Sequence, residues 1–328
     1  MQVRSGRDGP GATSCPYTGF VRKQKDIPQV FLSAVEEKMI KLGVFSDEVS
    51  QNLATAIALA KEFDLSGLEV RSVWDKPPDK LNEEDAAKIR SALDEAGLEC
   101  YSIASPFFKC DLDSEEEYNR HLEVLRRCIR LAKSLGTNRV RGFTFWRKPS
   151  PTFEEVRDTI LQKFREPVSI IEGEGIHLCL ENESSTYVAS GLKLRSLIED
   201  IGSPNVRVTW DPCNCLFDRS CEPPYPDGYE AVKDVIGLVH VKDAVRVDDE
   251  RVAEHVPVGE GDAGLRELFS RLKRDRYDGY LSLETHWRPS EQLARELVDR
   301  PGGAAYSENA ELASRICLEN MTRMFEEA

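Results

Sequence analysis

The chain has 328 residues, of which 40% are hydrophobic and 31% charged, with a formal net charge of −14; this length and composition fit one large globular domain or two ordinary ones. The acidic balance argues against a nucleic-acid partner, because binding a polyanion relies on clustered Lys and Arg to displace counterions. No run approaches the roughly 18 apolar residues that span a bilayer, and the first twenty residues lack the apolar core of a secretory signal, which argues against a membrane partner and places the chain in the cytoplasm.

Nine cysteines are spread over the whole length and read as reduced thiols. Their one cluster, Cys213, Cys215 and Cys221, lacks the paired spacing and nearby fourth ligand of a zinc site. Residues 1–38 are rich in Gly, Pro, Ser and polar side chains, with one short helical stretch at Phe31–Lys38. They read as a loosely attached extension, or as the product of an upstream start codon, ahead of a regular pattern that begins at Met39.

From there strand-like and helix-like segments alternate. The first strand is expected at Ile40–Phe45 and the first helix at Asn52–Phe63, with Leu53, Ile57 and Ala60 at helical spacing. A second strand at Gly67–Arg71 precedes a helix over Glu83–Ala96 that Gly97 terminates; a third, Glu99–Ala104, precedes a long helix from the Ser114 cap to Leu135, ended by Gly136. The fourth strand is Arg139–Phe145, with a helix from Phe153 to about Glu172. The fifth is His177–Glu181, with a helix at Leu192–Ile201. The sixth is Val206–Trp210, followed by a Pro- and Cys-rich loop and a helix near Tyr229–Val235. The seventh, Leu238–Val241, leads through a long charged loop to a helix at Leu265–Arg274. The eighth is Tyr280–Leu283, and Asn309–Phe325 is helical.

Eight β-then-α units over about 250 residues are the number and length of a closed (β/α)₈ TIM barrel. A doubly wound open sheet shares the alternation, but would carry a Gly-rich turn after its first strand, where this chain reads "FSDEVSQN". The expected organisation is an N-terminal extension (1–38), a barrel catalytic domain (39–290) and a C-terminal helical segment (291–328) that completes the barrel.

Active sites of such barrels lie at the C-terminal strand ends. Four successive strands end there in Glu181 ("HLCLENE"), Asp211 ("VTWDPCN"), His240 ("LVHVKD") and Glu284 ("LSLETH"). Each residue alone is more simply a helix cap, a loop residue or a packed histidine. Together they form an O₃N ligand set, without sulfur, that suits one divalent ion: Mn²⁺ first, with Mg²⁺, Co²⁺ or Zn²⁺ as alternatives. Such a cation would also relieve the repulsion among three converging carboxylates.

On Glu181 in "LEN", Asp211 in "WDPCN", His240 in "HVKD", the "VGEGD" stretch at 258–262 and Glu284 in "LETH", the chain from Met39 to about Trp287 resembles the sugar phosphate isomerase/epimerase superfamily of xylose isomerase-like TIM barrels. The resemblance implies that Glu181 and Glu284 both bind the metal and move protons, one on each face of the substrate, while Asp211 and His240 hold the ion. A metal chelating a carbonyl and a neighbouring hydroxyl acidifies the C–H between them and stabilises the enediolate. It also implies a family that tends toward homo-oligomers. Two departures stand out: Asn214 occupies a position where many relatives carry histidine, and strands two and three end in Arg71 and Ser105, which leaves no trinuclear nuclease site.

The remaining mouth residues suit a sugar or polyol. Trp74, Trp146 and Trp287 fall at strand ends, where indole faces could cover a sugar, whereas Trp210 precedes a ligand and should point away from the axis. Arg71, Arg141 and Lys242 are candidates for substrate oxygens, with Asn214 and His286 beside them; Arg246 reads more simply as a surface charge, and His255 and His286 are candidate proton carriers. Glu260 is expected to orient His240 from outside the ligand set. The function expected is a metal-dependent sugar isomerase or epimerase. Its rivals are a lyase or dehydratase on a keto-sugar, keto-glycoside or inosose, and a barrel that only binds sugar or a partner.

Overall fold

The computed structural model of the protein describes residues 40–247, 253–290 and 292–328; the helix expected at Phe31–Lys38 and the rest of the extension lie outside them. β1 (Lys41–Phe45) runs directly into a one-turn helix, α1 (Ser46–Val49), and Asn52 then caps α2 (Leu53–Glu62) by accepting the Ala54 N–H. There follow β2 (Gly67–Val70), α3 (Glu83–Ala96), β3 (Glu99–Phe107), α4 (Glu115–Leu135), β4 (Arg139–Gly142) and α5 (Phe153–Glu174). The second half comprises β5 (His177–Glu181), α6 (Gly191–Ile201), β6 (Val206–Trp210), α7 (Tyr229–Val232) and β7 (Ile236–Val241), then the hairpin β8 (Asp243–Arg246) and β9 (Ala253–Val256). The chain ends with α8 (Leu265–Arg274), β10 (Tyr280–Leu283), α9 (Arg295–Asp299) and α10 (Ala310–Glu327).

The eight parallel strands close in the order β1-β10-β7-β6-β5-β4-β3-β2, and β8 and β9 form a separate antiparallel pair. This is the expected (β/α)₈ barrel. Gly97 and Gly136 end α3 and α4 in the left-handed conformation, at φ +72° and +79°, which costs glycine nothing.

Two differences from the sequence reading bear on the mouth. The fourth strand stops at Gly142 instead of Phe145, because Phe145 turns to φ +64° and its N–H, like that of Phe143, bonds back to the Phe107–Phe108 segment. The charged loop after β7 contains the hairpin β8–β9, whose four-residue strands are too short to show a period-2 pattern.

The barrel interior is filled in layers, as a closed eight-strand barrel requires. At the bottom, Tyr101 stacks on Tyr280 with ring centroids 3.9 Å apart, beside Leu238. Gly43 makes room for this layer, since a Cβ there would lie 2.3 Å from the Tyr101 ring. Above it a polar column rises: the Tyr101 hydroxyl donates to Ser282 Oγ (2.7 Å), and Ser282 and Ser102 donate to the buried carboxylate of Glu69 (2.8 and 3.0 Å). Side chains two apart on a strand share a face, so Ser282 at this level puts Glu284 on the next level up, and Leu238 at the bottom puts His240 and then Lys242 toward the mouth.

Candidate metal centre

At the top of that column His240 is fully buried, with Nε2 3.3 Å from Glu69 Oε2 and Nδ1 3.4 Å from Glu181 Oε1 and 3.3 Å from Glu284 Oε2. Glu181, Asp211, His240 and Glu284 each offer one ligand atom, all within 4.8 Å of one another, and all four side chains are buried. His240 Nδ1 and Asp211 Oδ2 make no well-formed hydrogen bond; what they meet are charges, Glu181 and Glu284 at 3.4 and 3.3 Å from Nδ1 and Lys242 Nζ at 2.8 Å from Oδ2. By donor type and spacing the residues present fit a single divalent ion, bound by three carboxylate oxygens and one imidazole nitrogen.

Local structure aims each ligand. Asp211 is fixed where β6 ends: its N–H donates to Asn182 Oδ1 (2.9 Å), its carbonyl accepts from Asn182 Nδ2 (2.7 Å), and its Oδ1 accepts the Asn214 N–H (3.1 Å). Asn214 in turn donates to Glu181 Oε1 at 3.1 Å. The carboxylate behind His240 is that of Glu69 in the interior of β2. Glu260, expected in that role, is exposed, because Asp243 gathers the "VGEGD" turn away from the axis by accepting N–H bonds from Gly259, Gly261 and Ala263. Gly261 is required for this approach, since a Cβ would meet Asp243 Oδ1 at 2.2 Å.

Three buried cations surround the ligand set. Arg71 bonds Asp47 (3.0 Å), Glu48 (2.8 Å) and Glu284 (2.7 Å), Arg141 bonds Glu181 (3.0 Å), and Lys242 lies 2.8 Å from Asp211 and 3.0 Å from Glu284. Burial opposes ionisation of Glu181, but His240 and Arg141 outweigh it and its pKa falls; for Glu284 burial is overcome chiefly by Lys242, and its pKa falls well below the usual range. Asp211 is different, since burial prevails over Lys242 and lifts it to about 6. Burial likewise opposes charge on His240, but Glu181 and Glu69 hold its pKa well above the ordinary imidazole value.

The other expected mouth residues divide. Asn214, His286 and Trp287 line one cavity of about 590 Å³, together with His255. Arg71, Arg141 and Trp146 line another of about 620 Å³. Trp74 lines neither: it sits in a turn at φ +54° and is 37% exposed. Trp210 is fully buried against Gly191 and Gly228, and Arg246 bonds the Cys215 carbonyl at 3.3 Å. His286 is 5% exposed with neither ring nitrogen hydrogen-bonded, 3.7 Å from Glu284 Oε1, and burial followed by Lys242 lowers it to about 4.

The sequence reading passed over Asp47, Glu48, Glu69, Arg288 and Tyr306. The acidic pair directly follows β1, the same signal that marked the other strand ends. Glu69 was visible as a carboxylate inside an apolar strand. Arg288 and Tyr306 gave no signal, because they belong to an irregular segment that crosses the mouth. There Arg288 donates to the Thr285 and Tyr306 carbonyls (2.9 and 2.8 Å), the Tyr306 hydroxyl donates to Glu48, and Ser307 donates to the Asp47 carbonyl (2.8 Å). The segment contributes Val298 and Asp299 to one cavity and Arg300–Gly303 to the other.

Fold and site together define a (β/α)₈ barrel whose C-terminal mouth gathers a buried acidic and histidine cluster. The chain matches the xylose isomerase-like TIM barrel family over residues 57–312, and it belongs to that family. An uncharacterised protein of Methanocaldococcus jannaschii is 32% identical over 136 residues, which span 40% of this chain and 44% of that protein, less than half its length. Among solved structures the barrel is similar to the IOLI protein with a bound zinc atom (18% identity, 88% of this chain and 99% of that one, TM-score 0.67). It is similar also to the probable 3-DHS dehydratase AsbF of Bacillus anthracis (17%, 86% and 99%, 0.67) and to the D-allulose 3-epimerase of a Methylomonas species in complex with D-allulose (17%, 88% and 98%, 0.66).

Proposed function

We propose that the protein is a divalent-metal-dependent sugar isomerase or epimerase that abstracts a proton next to a carbonyl. The observation that carries this reading is the convergence of Glu181, Asp211, His240 and Glu284 on one buried point, each offering a ligand atom within 4.8 Å of the others. The solved barrels with a bound zinc and with bound D-allulose support it at the level of fold.

A bound divalent ion would supply Lewis acidity that polarises a substrate carbonyl. The chain's own residues supply the rest. Glu181 and Glu284 stand on β5 and β10, separated by β6 and β7, so their carboxylates reach the site from different sides. One takes the C–H proton as the electron pair moves toward the carbonyl oxygen, and the other returns a proton to the opposite face. Arg141, which lies 3.0 Å from Glu181 and 3.5 Å from Glu284, helps keep the accepting carboxylate ionised, while its partner enters the step protonated and so has the proton that it returns. Asn214 and Lys242 fix the Glu181 and Glu284 oxygens that face the ligand point, while the segment carrying Arg288 and Tyr306 shields the mouth from water.

Expulsion of a leaving group from the same carbanion, as a lyase or dehydratase performs it, is the second reading, and the similarity to AsbF favours keeping it. Recovery of a ketose from deuterated water tests both. Deuterium at the carbon beside the carbonyl, absent in Glu181→Gln, supports proton abstraction; loss of water or an aglycone singles out elimination. A metal-loaded protein that exchanges no substrate proton across a ketose and keto-glycoside panel would contradict the proposal.

A further inference from the structure

The loop after β6 carries Cys213, Cys215 and Cys221, and the proposed reaction uses none of them. Two successive turns bring Cys215 and Cys221 together: the Asp218 N–H donates to the Cys215 carbonyl (3.4 Å), and the Cys221 N–H donates to the Asp218 carbonyl (3.1 Å). Their side chains hydrogen-bond to each other. The two thiols differ in access. Cys215 is fully buried, whereas Cys221 is half-buried, the one cysteine among the described residues that solvent reaches. Cys213 turns elsewhere, with its sulfur 4.0 Å from His255 Nδ1.

The Cys215 sulfur also packs against the groups that frame the ligand set. It accepts from Asn182 Nδ2 and donates to the Ala189 carbonyl, both at 3.6 Å. The same Asn182 side chain holds the N–H and the carbonyl of Asp211. Cys215 directly follows Asn214, whose N–H bonds Asp211 Oδ1 and whose side chain bonds Glu181. An S–S bond is about 2.05 Å long, much shorter than a contact between two thiols, so closing one draws the Cys215 sulfur away from Asn182 and pulls on Asn214.

We propose that Cys221 is a peroxide-sensitive modification site whose oxidation closes a Cys215–Cys221 disulfide and thereby loosens the Asp211–Asn214 turn. The Cys221 thiolate attacks hydrogen peroxide, forming an S–O bond as the O–O bond breaks and hydroxide leaves. The Cys215 sulfur then displaces hydroxide from that sulfenic acid, and the S–S bond forms. Both thiol protons depart with the hydroxides as water, so the two thiols lose two electrons and one peroxide becomes two waters. A small dithiol reverses the change. A looser hold on Asp211 and Glu181 lowers affinity for the divalent ion, a consequence that rests on the proposed metal centre, whereas the disulfide and the loosened turn do not.

Peroxide treatment of the full chain, alkylation of the remaining thiols and tryptic mapping test the bond. Cleavage after Arg207, Arg219 and Lys233 puts Cys213 and Cys215 in one peptide and Cys221 in the next, so a disulfide joins the two and fragmentation shows which cysteine it uses. The expected product links Cys215 to Cys221, is undone by dithiothreitol and is absent from Cys221→Ser. Hydrogen exchange reads the turn without metal, and should be faster at the Asn214 amide in oxidised wild type than in reduced. Chelator competition for Mn²⁺ should show severalfold weaker binding after oxidation, restored by reduction, with no peroxide effect in Cys221→Ser. Cys221 left unreacted or taken to sulfinic acid without a link, a link to Cys213, or a Cys215–Cys221 link that leaves Asn214 exchange unchanged would each overturn the proposal. Wild type that binds no Mn²⁺ in either state strikes the proposed function alone, because the mapped link and the exchange at Asn214 are read without it.

Discussion

Replacing Glu69 with Gln keeps the side chain's size and removes the negative charge behind His240. The wild-type carboxylate is fully buried, accepts from Ser102 and Ser282 at 3.0 and 2.8 Å, and stands 3.3 Å from His240 Nε2. The serine hydroxyls can rotate to accept from an amide, so the column should survive; the imidazole loses the charge that orients it and raises its basicity. Removing the carboxylate partner of a metal-ligating histidine weakens metal binding by roughly 10–100-fold, or about 1.4–2.7 kcal/mol at ~1.36 kcal/mol per decade. Competition between the protein and a chelator for Mn²⁺ or Zn²⁺, followed at constant pH, measures this. An affinity within twofold of wild type in a folded Glu69→Gln protein would refute the claim that β2 supplies the group that sets His240.

Gly43→Ala should destabilise the barrel by about 1–3 kcal/mol in urea unfolding, because a Cβ would press into the Tyr101 ring at 2.3 Å; an unchanged midpoint would show that the bottom layer gives way freely. His121, whose Nδ1 accepts the Phe108 N–H at 2.9 Å, is lowered by burial to about 4. Below its unfolded value near 6.5 the unfolded chain therefore binds the extra proton, so stability falls as pH drops from about 6.5 toward 4, by up to about 3 kcal/mol. His121→Asn, which keeps an acceptor near Nδ1, should flatten the pH dependence of the unfolding free energy in that window. An identical slope in the variant would remove His121 from the account. Asp243→Ala strands the turn amides of Gly259, Gly261 and Ala263 and should cost about 2–4 kcal/mol, with hydrogen exchange at those three amides accelerated above the rest of the barrel.

The fold was legible because its units are regular. Apolar runs of four to six residues, helices closed by Gly97 and Gly136, and eight repeats of the same order leave few topologies open. The convergence of Glu181, Asp211, His240 and Glu284 was legible for the same reason, since a strand end is a fixed address in such a barrel and all four occupy one. Residues whose placement depends on packing between distant segments were not legible. Glu260 was expected behind His240 on the strength of its position after β7, and only the Asp243 hub shows why that turn faces outward. Tyr306 reaches Glu48 from 258 positions along the chain, a contact no local pattern encodes. Trp74 illustrates the opposite failure, because counting residues past a strand end ignores the turn at φ +54° that carries its ring away from the mouth.

The central claim is that four strand ends hold one divalent ion. Elemental mass spectrometry of the purified full chain, compared with Asp211→Asn and Glu284→Gln, tests it most directly. The account predicts close to one Mn²⁺, Zn²⁺, Co²⁺ or Mg²⁺ per chain in wild type and a marked loss in both variants with the barrel still folded. Wild-type protein that takes up no ion after soaking with each of these metals would contradict it.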